Sequence, residues 1–361
     1  MRAHPLDPRQ PITSTARLSK FARSLQREWR KLDLPRASAT VVIAVSGGAD
    51  SAALLFALDE LIKSKKLKIK MVIAHLNHKL RGKASDADAR WVEDISKKLR
   101  HPLLAAAVDV KKRAAKSNDN LEQAARRARY EFLEKTAKAR KASVVLTAHT
   151  MSDQAETVLM NLLRGSGADG LSGIEPVRSI APGSRTLLAR PLLSWAKRSD
   201  TEGYCCEHSI DFRVDEMNAD EVFARVRVRR QLLPLMESFN PKFVESLVRT
   251  TEILREDSLA LETAAARLLE LSLDQQPKIR SDQTADSLRA DLLRLAPPAL
   301  RRRALRLWLA RLRGDLRRLE SVHIINVENL LLNTKSGRIV ELPGGSKISR
   351  KGGLIHFHGP K

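Results

Sequence analysis

The sequence predicts an α/β protein built on a doubly wound parallel sheet, followed by a mainly helical C-terminal domain that ends in a small β-meander. Three observations carry this. Short apolar, β-branched runs alternate with helical stretches up to about residue 215, the pattern of parallel strands joined by crossover helices. Two strand-to-helix junctions, at Ser46–Ser51 and at His149–Glu156, carry glycines or acids, and such strand ends share one cleft at a switch point. Beyond Asn240-Pro241 the pattern becomes helical and then breaks into three short strands.

Taken in order, residues 1–16 are Pro-rich and polar and are expected to be poorly ordered. Leu18, Phe21, Leu25, Trp29 and Leu32 are spaced as one helical face, a lead-in helix ending near Pro35. Thr40–Val45 is the first strand and Ala52–Leu58 the first helix of the sheet domain. Lys70–His75, Pro102–Val110 and Ser143–Ala148 read as the next three strands, with Leu187–Leu193 as a fifth interrupted by Pro191. Ser85–Leu99 and Asn120–Leu133 read as helices. The run Arg164–Gly173 is dense in glycine and reads as a loop rather than a helix. Residues 242–273 and 285–319 are helical by pattern, with a polar loop over 275–287. Within the second stretch, eight arginines between Arg301 and Arg318 oppose a stripe of Leu305, Trp308, Leu309, Leu312 and Leu316. The stripe reads as core. Residues 338–342, 346–350 and 353–357 form the meander. The expected domains are a 1–37 extension with the lead-in helix, a 38–239 sheet domain and a 240–361 C-terminal domain.

With 43% hydrophobic and 30% charged residues in 361, the chain is globular and long enough for two or three domains. No run approaches the ~18 apolar residues of a membrane span, and the N-terminus lacks an apolar leader segment. The two cysteines, Cys205 and Cys206, are adjacent, and no CxxC occurs. That usage predicts a reduced, cytoplasmic protein without a structural zinc site or iron–sulfur cluster. The net charge of +23 suits a polyanionic partner, either nucleic acid or an anionic membrane surface, unless it reflects a basic proteome. Only 4% of residues are aromatic, so RNA contacts would rest on Lys and Arg to phosphate rather than on base stacking.

Ser46-Gly47-Gly48-Ala49-Asp50-Ser51 is a tight turn between a strand and a helix. Its backbone N–H groups and the positive helix end converge on one small volume suited to a phosphate. It lacks the lysine of a Walker A loop. It offers instead the hydroxyls of Ser46 and Ser51 and the carboxylate of Asp50, which makes sense beside phosphates chiefly with Mg²⁺ between them. The plain alternative is a glycine turn capped by Asp50 and Ser51. At the second junction, Asp153 and Glu156 stand three apart on one helix face. Their plain explanation is the helix dipole. Arg126, Arg127 and Arg129 form one basic cluster, and Arg225, Arg227, Arg229 and Arg230 put four arginines in six residues. A solvated face explains such runs as readily as a phosphate does.

The turn resembles the SGGxDS loop of the PP-loop ATPase superfamily, which is adenine nucleotide hydrolase-like in fold. Further stretches in order resemble the tRNA(Ile)-lysidine synthetase family: His75-Leu76-Asn77-His78 with Leu80-Arg81, Asn120…Arg126…Arg129-Tyr130, Ser152–Thr157 running on to Arg164-Gly165 and Gly170-Leu171, Asn218-Ala219-Asp220…Arg225…Arg229…Leu233-Pro234, and Val340–Gly345. The resemblance implies ATP-driven adenylation of the C2 carbonyl of the wobble cytidine in a tRNA(Ile) with a CAU anticodon, then displacement of AMP by free lysine. It implies ATP, Mg²⁺, lysine and that tRNA as cofactor and partners. Ser46, Gly47, Gly48, Ala49, Asp50, Ser51 and His75 would hold ATP, with Asp50 serving Mg²⁺ through the phosphates. Asp153 and Glu156 would meet the lysine amines, and Arg225 a carboxylate or phosphate. Asp50, Asp153, Glu156 and Arg225 would carry the chemistry. Lys79, Arg81, Arg126, Arg129 and Arg229 would line the substrate side. The sequence departs from the family at Thr150, Ser152, Val226 and Arg230. Two rivals stand beside this reading: a PP-loop tRNA thiolase, disfavoured by the missing CxxC, and a lapsed tRNA-binding protein, disfavoured by the retained acids.

Overall fold

The structure, a computed structural model, describes residues 18–80, 82–117, 120–213, 224–273, 287–314, 316, 318–333 and 337–360. Residues 1–16, most of the polar loop over 275–287, Arg81 and the Asn218–Asp220 motif lie outside the described residues. The chain divides into two compact units, Met1–Thr251 and Glu252–Lys361.

The first unit opens with α1 (Lys20–Lys31), whose Ser19 side chain caps it by accepting from Ala22 N–H at 3.0 Å. Phe21, Leu25 and Trp29 form its buried stripe. Then follow β1 (Ala37–Ala44), α2 (Ala49–Lys63), β2 (Lys68–Asn77), α3 (Lys83–Leu99), β3 (Leu103–Ala107), α4 (Val110–Ser117), α5 (Leu121–Ala139), β4 (Val144–Leu146) and α6 (Met151–Leu163). The one-turn α7 (Ala168–Leu171), β5 (Val177–Ser179), β6 (Leu187–Ala189) and α8 (Arg198–Glu207) come next. The described chain resumes at α9 (Ala224–Arg227), continues through a π-helical turn over Val228–Leu232 into α10 (Leu233–Phe239), and enters α11 (Phe243–Ser272).

The sheet order is β3-β2-β1-β4-β6-β5, with every pairing parallel except the β5–β6 edge. Buried parallel strands carry apolar residues on both faces, and β1 shows how the period of two divides them. Val41 and Ile43 join the core under α1, α2 and α8, while Val42 joins Val72, Val145, Leu133 and Leu188 on the other face. The strand order reverses between β1 and β4, where Ile43 pairs with Leu146. Ser46 and His149 therefore lie equally far past the paired residues, at adjacent carboxyl ends.

The fifth expected strand ends at Ala189, before Arg190-Pro191, because Pro191 has no N–H for the ladder. The run Arg164–Gly173, read as a loop, contains α7. Asn161 Nδ2 donates to Gly170 O at 2.7 Å, and Ile174 N–H donates to Gln154 Oε1 at 2.7 Å. Gly173 sits at φ +66°, where a Cβ would approach Gln154 Oε1 to 2.7 Å. Gly173 thus serves a tight return against α6. α4, α8 and β5 have no counterpart in the sequence reading.

The second unit contains β7 (Leu288–Arg289), α12 (Ala290–Leu295), α13 (Pro298–Arg313), α14 (Ser321–Leu332), β8 (Ile339–Glu341), β9 (Lys347–Lys351) and β10 (Leu354–His358). β7 extends the expected meander to an antiparallel sheet of order β7-β10-β9-β8. Leu305, Trp308 and Leu309 are fully buried, and Trp308 meets Phe357 edge-on at 6.3 Å. The α13 stripe is core, each large side chain contributing about 1.5–3 kcal/mol.

Candidate active site

The turn after β1 is shaped for an anion. Gly47 takes φ +96°, a conformation that glycine tolerates and other residues rarely adopt. Its carbonyl accepts Arg213 N–H at 2.9 Å. Ser51 Oγ donates to Gly48 O at 2.9 Å and accepts Ser46 N–H at 3.2 Å, which closes the turn. Ser46 Oγ stands 3.2 Å from Ser51 Oγ. Gly48 provides no side-chain cap for α2, so the first N–H groups of this fifteen-residue helix lack a side-chain acceptor at the cap. His75, at the end of β2, is buried, and its Nδ1 lies 2.8 Å from Val45 O. That carbonyl can only accept, so Nδ1 carries the proton and His75 braces the base of the turn.

The second junction is built in the opposite way. Thr150 caps α6, and its N–H and hydroxyl donate to Asp153 Oδ2 at 2.9 and 3.1 Å. The capping box occupies the helix end that would otherwise attract an anion. Thr150, a departure from the family pattern, has this local role. Ser152, another departure, accepts Arg198 N–H on its hydroxyl at 3.2 Å.

One arginine joins the two junctions. Arg198 lies 3.8 Å from Asp50 Oδ2 through Nε, 3.5 Å from Asp153 Oδ1 through Nη2 and 3.6 Å from Glu156 Oε1 through Nη1. Glu156 is fully buried. Arg225 Nε donates to its Oε2 at 2.8 Å, and Arg229 reaches both oxygens at 2.6 and 3.0 Å. Arg225 Nη2 also stands 3.6 Å from Asp153 Oδ1. Three acids and three arginines thus form one cluster. Glu156, expected to meet a lysine amine, has both oxygens engaged by arginine.

The arginines arrive by a local device. Met151, Ala155 and Leu159 of α6 pack against Val228, Leu233, Val244 and Val248. Pro234 lacks an N–H and crowds the carbonyl four residues earlier, so the helix widens and Leu233 N–H bonds to Val228 O. Arg225 and Arg229, one turn apart, both face Glu156. Val226, a third departure, is buried in this segment.

Burial pushes the Asp50 carboxyl up to about 6, against the hydrogen bond from Thr201 Oγ1, with Asp153 adding to the rise and Arg198 opposing it. Asp153 is held below the usual carboxylate range. Burial opposes its charge, and His149, the Thr150 N–H, Arg198 and Arg225 outweigh burial. Burial lowers His149 to about 4. The imidazole is therefore neutral at pH 7, where the two arginines and the N–H keep Asp153 ionised.

Beyond His149 the charges are basic. The Tyr130 ring has the guanidinium of Arg126 at 5.5 Å and that of Arg178 at 5.2 Å. Against burial, Arg190, itself buried, is close enough to help hold the Tyr130 hydroxyl below its usual pKa. Arg129 is exposed and close enough to lower His149 and His78, whose ring is set at about 4 by burial first. Lys79 is exposed in a left-handed turn, its N–H donating to Asn77 Oδ1 at 2.8 Å.

Arg198, Thr201, Arg178 and Arg190 escape the sequence reading. Arg198 leaves a faint signal: a cation in the first turn of α8 opposes the helix dipole, so it needs an acidic partner elsewhere.

A family model described as a PP-loop domain matches residues 18–236, and one described as a TilS substrate binding domain matches residues 288–356. The chain is 38% identical over 317 residues to a tRNA(Ile)-lysidine synthase of Geobacter sulfurreducens, covering 88% of this chain and 64% of the relative. It is 35% identical to one from Dehalococcoides mccartyi, covering 91% and 67%. A "Bifunctional protein TilS/HprT" of Listeria innocua is 35% identical, with 91% of this chain and 49% of that protein covered. The chain thus spans about two thirds of the synthases and half of the bifunctional protein. The U34-tRNA thiolase NcsA from Methanococcus maripaludis superposes with a TM-score of 0.54 at 15% identity, covering 65% of this chain and 80% of that one. That likeness concerns the fold alone.

Proposed function

The chain belongs to the tRNA(Ile)-lysidine synthase family and carries its PP-loop domain, and on that premise we propose that it ligates lysine to C2 of the wobble cytidine of a tRNA(Ile) with a CAU anticodon, using ATP and releasing AMP and pyrophosphate. The observation that carries the reading is the single cluster of Asp50, Asp153 and Glu156 around Arg198, beside an uncapped helix end at the switch point. Residues 38–239 are the catalytic domain, 240–361 bind the tRNA, and the protein works in the cytoplasm. Among the described residues no helix is long and apolar enough to cross a membrane.

The turn from Ser46 to Ser51 holds the ATP phosphates on its N–H groups and hydroxyls. The donor set at Asp50 fits Mg²⁺, because a desolvated carboxylate with a raised pKa gains from a cation, and Mg²⁺ commonly takes one carboxylate plus substrate phosphates. Bound there, Mg²⁺ would neutralise phosphate charge. His75 positions the turn through Val45. The cytidine O2 attacks the α-phosphorus in line, and pyrophosphate leaves. The lysine ε-amine then attacks C2, AMP leaves, and the amine gives up its proton. Asp153, kept ionised, is the charge partner of a lysine ammonium. Glu156 positions Arg225 and Arg229, and Arg225 meets a carboxylate or phosphate. Lys79, Arg126 and Arg129 lie on the polynucleotide side, where the resemblance also puts Arg81.

A sulfur-transfer reading gains nothing from the cysteines. Cys205 is buried and pushed up to about 12 by burial, the reverse of an activated thiol. The test incubates the protein with ATP, Mg²⁺, labelled lysine and CAU-anticodon tRNA. Label enters the RNA with stoichiometric AMP release; AMP release without label in the RNA would refute the assignment.

A further inference from the structure

The C-terminal unit holds a cavity that the proposed chemistry does not use. It has a volume of about 300 Å³ and is lined by Arg289, Asp291, Arg294, Arg350 and the Gly352-Gly353 turn. Arg350, on β9, is only 8% exposed, and its Nη1 has no hydrogen-bond partner among the described residues. A buried guanidinium N–H without an acceptor is costly. The one acid on the wall is already engaged: Asp291 Oδ2 takes Arg289 Nη2 at 2.8 Å, and that contact holds its carboxyl below the usual range. The lining therefore has three cations against one acid. Gly352 and Gly353 sit at φ +59° and +77°, and a Cβ on either would meet nothing within 4 Å, so the turn leaves the rim open.

We propose that this cavity is a phosphate site that takes a backbone phosphate of RNA. A tetrahedral anion offers acceptor oxygens to several guanidiniums at once, which a single planar carboxylate does less well. The source is RNA because the chain carries +23, and because the segment matched by a substrate-binding domain model, 288–356, includes every lining residue. The proposal rests on the tRNA reading given above and assigns one contact within it. A phosphate contact positions without reading sequence, so it serves cognate and non-cognate tRNA alike.

The test measures binding of the full chain to CAU-anticodon tRNA and to an unrelated tRNA across a salt series, with inorganic phosphate titrated separately by calorimetry. Arg350→Gln removes the buried donor, and Arg294→Ala changes an exposed side chain of α12 and leaves the core intact. Each variant is expected to lose about 5- to 10-fold in affinity for both tRNAs and to lower the salt slope by about 1. Unchanged affinity and slope in Arg294→Ala overturn the site, even if Arg350→Gln fails to fold. Phosphate heat that vanishes in the variants while tRNA binding is unaltered would mean a free-anion site and overturn the RNA assignment. A wild type that binds neither tRNA sinks the functional reading together with this one.

Discussion

Glu156 and Glu328 are both buried glutamates gripped by arginines, yet they do different work. Glu328, on α14, takes Arg301 Nε at 2.8 Å and Arg302 Nε at 2.6 Å. Arg301 Nη1 donates to Arg294 O at 3.2 Å and Ala296 O at 3.0 Å, closing the end of α12. In that network both carboxylate oxygens have a short arginine contact. At Glu156 the contacts from Arg225 and Arg229 are as short, but Arg198 is divided over three carboxylates at 3.5–3.8 Å. At these distances Arg198 is committed to none of the three carboxylates. A closed ion network stabilises a fold, whereas an open one, with acids at a sheet's carboxyl edge, is a site in waiting.

The largest expected effect is on the open side. Asp153→Asn keeps the size of the side chain and one acceptor for the α6 cap, while removing the charge. Lysine transfer is expected to fall by at least ~10²-fold, with tRNA affinity within about twofold because the phosphate contacts are elsewhere. Filter binding and labelled-lysine incorporation measure the two separately. Collapse of tRNA affinity would show that Asp153 organises the RNA side, and the contrast with Glu328 would lose its basis.

On the closed side the effect should be stability alone. Arg301→Met leaves Glu328 buried with only a half-exposed partner and should cost about 3–5 kcal/mol in urea unfolding of the C-terminal unit. The double variant Arg301→Met/Glu328→Leu should recover most of that loss, since a packed apolar pair of similar volume is often neutral. ATP affinity should not change in either. If the double variant is as unstable as the single one, the bonds from Arg301 to Arg294 O and Ala296 O carry the stability instead.

Sequence patterns reach the elements that local chemistry specifies. The SGGADS turn, the parallel strands and the α13 stripe are legible because glycine, β-branched runs and helical spacing act within a few residues. Asp50, Asp153 and Glu156 are legible as acids at helix starts. Their partners are not, because Arg198 lies 42 residues beyond Glu156 and reaches it only through the packing of α8 beside the sheet. Nor does sequence show that Glu156 is fully buried, a consequence of α6 packing on the π turn. The α7 helix is hidden by the glycines in and beside it, of which Gly170 packs against Ser166 and Gly173 against Gln154.

The smallest effect separates the two networks by the sign of their pH dependence. Burial raises the folded pKa of Asp50 to about 6 from an ordinary 3.8. The native state therefore binds more protons than the unfolded one between those values, and its stability falls as pH rises through that window. Glu328 has the opposite sign: its folded pKa lies below 4.5, burial being outweighed by Arg302 and Arg301, so the stability it contributes is lost as pH falls. With Asp50 serving Mg²⁺ as proposed, ATP affinity should drop as pH falls through about 6. Thr201→Val deletes the hydroxyl that donates to the ionised carboxylate. One such bond is worth about 1 kcal/mol, so the midpoint should move up by at most about one pH unit. Fluorescence titration of ATP between pH 5 and 8 reads it. A midpoint that stays put or moves down would mean that Asp50 is not the titrating group, and that the open network is set by Arg198 and the arginines of the π turn alone.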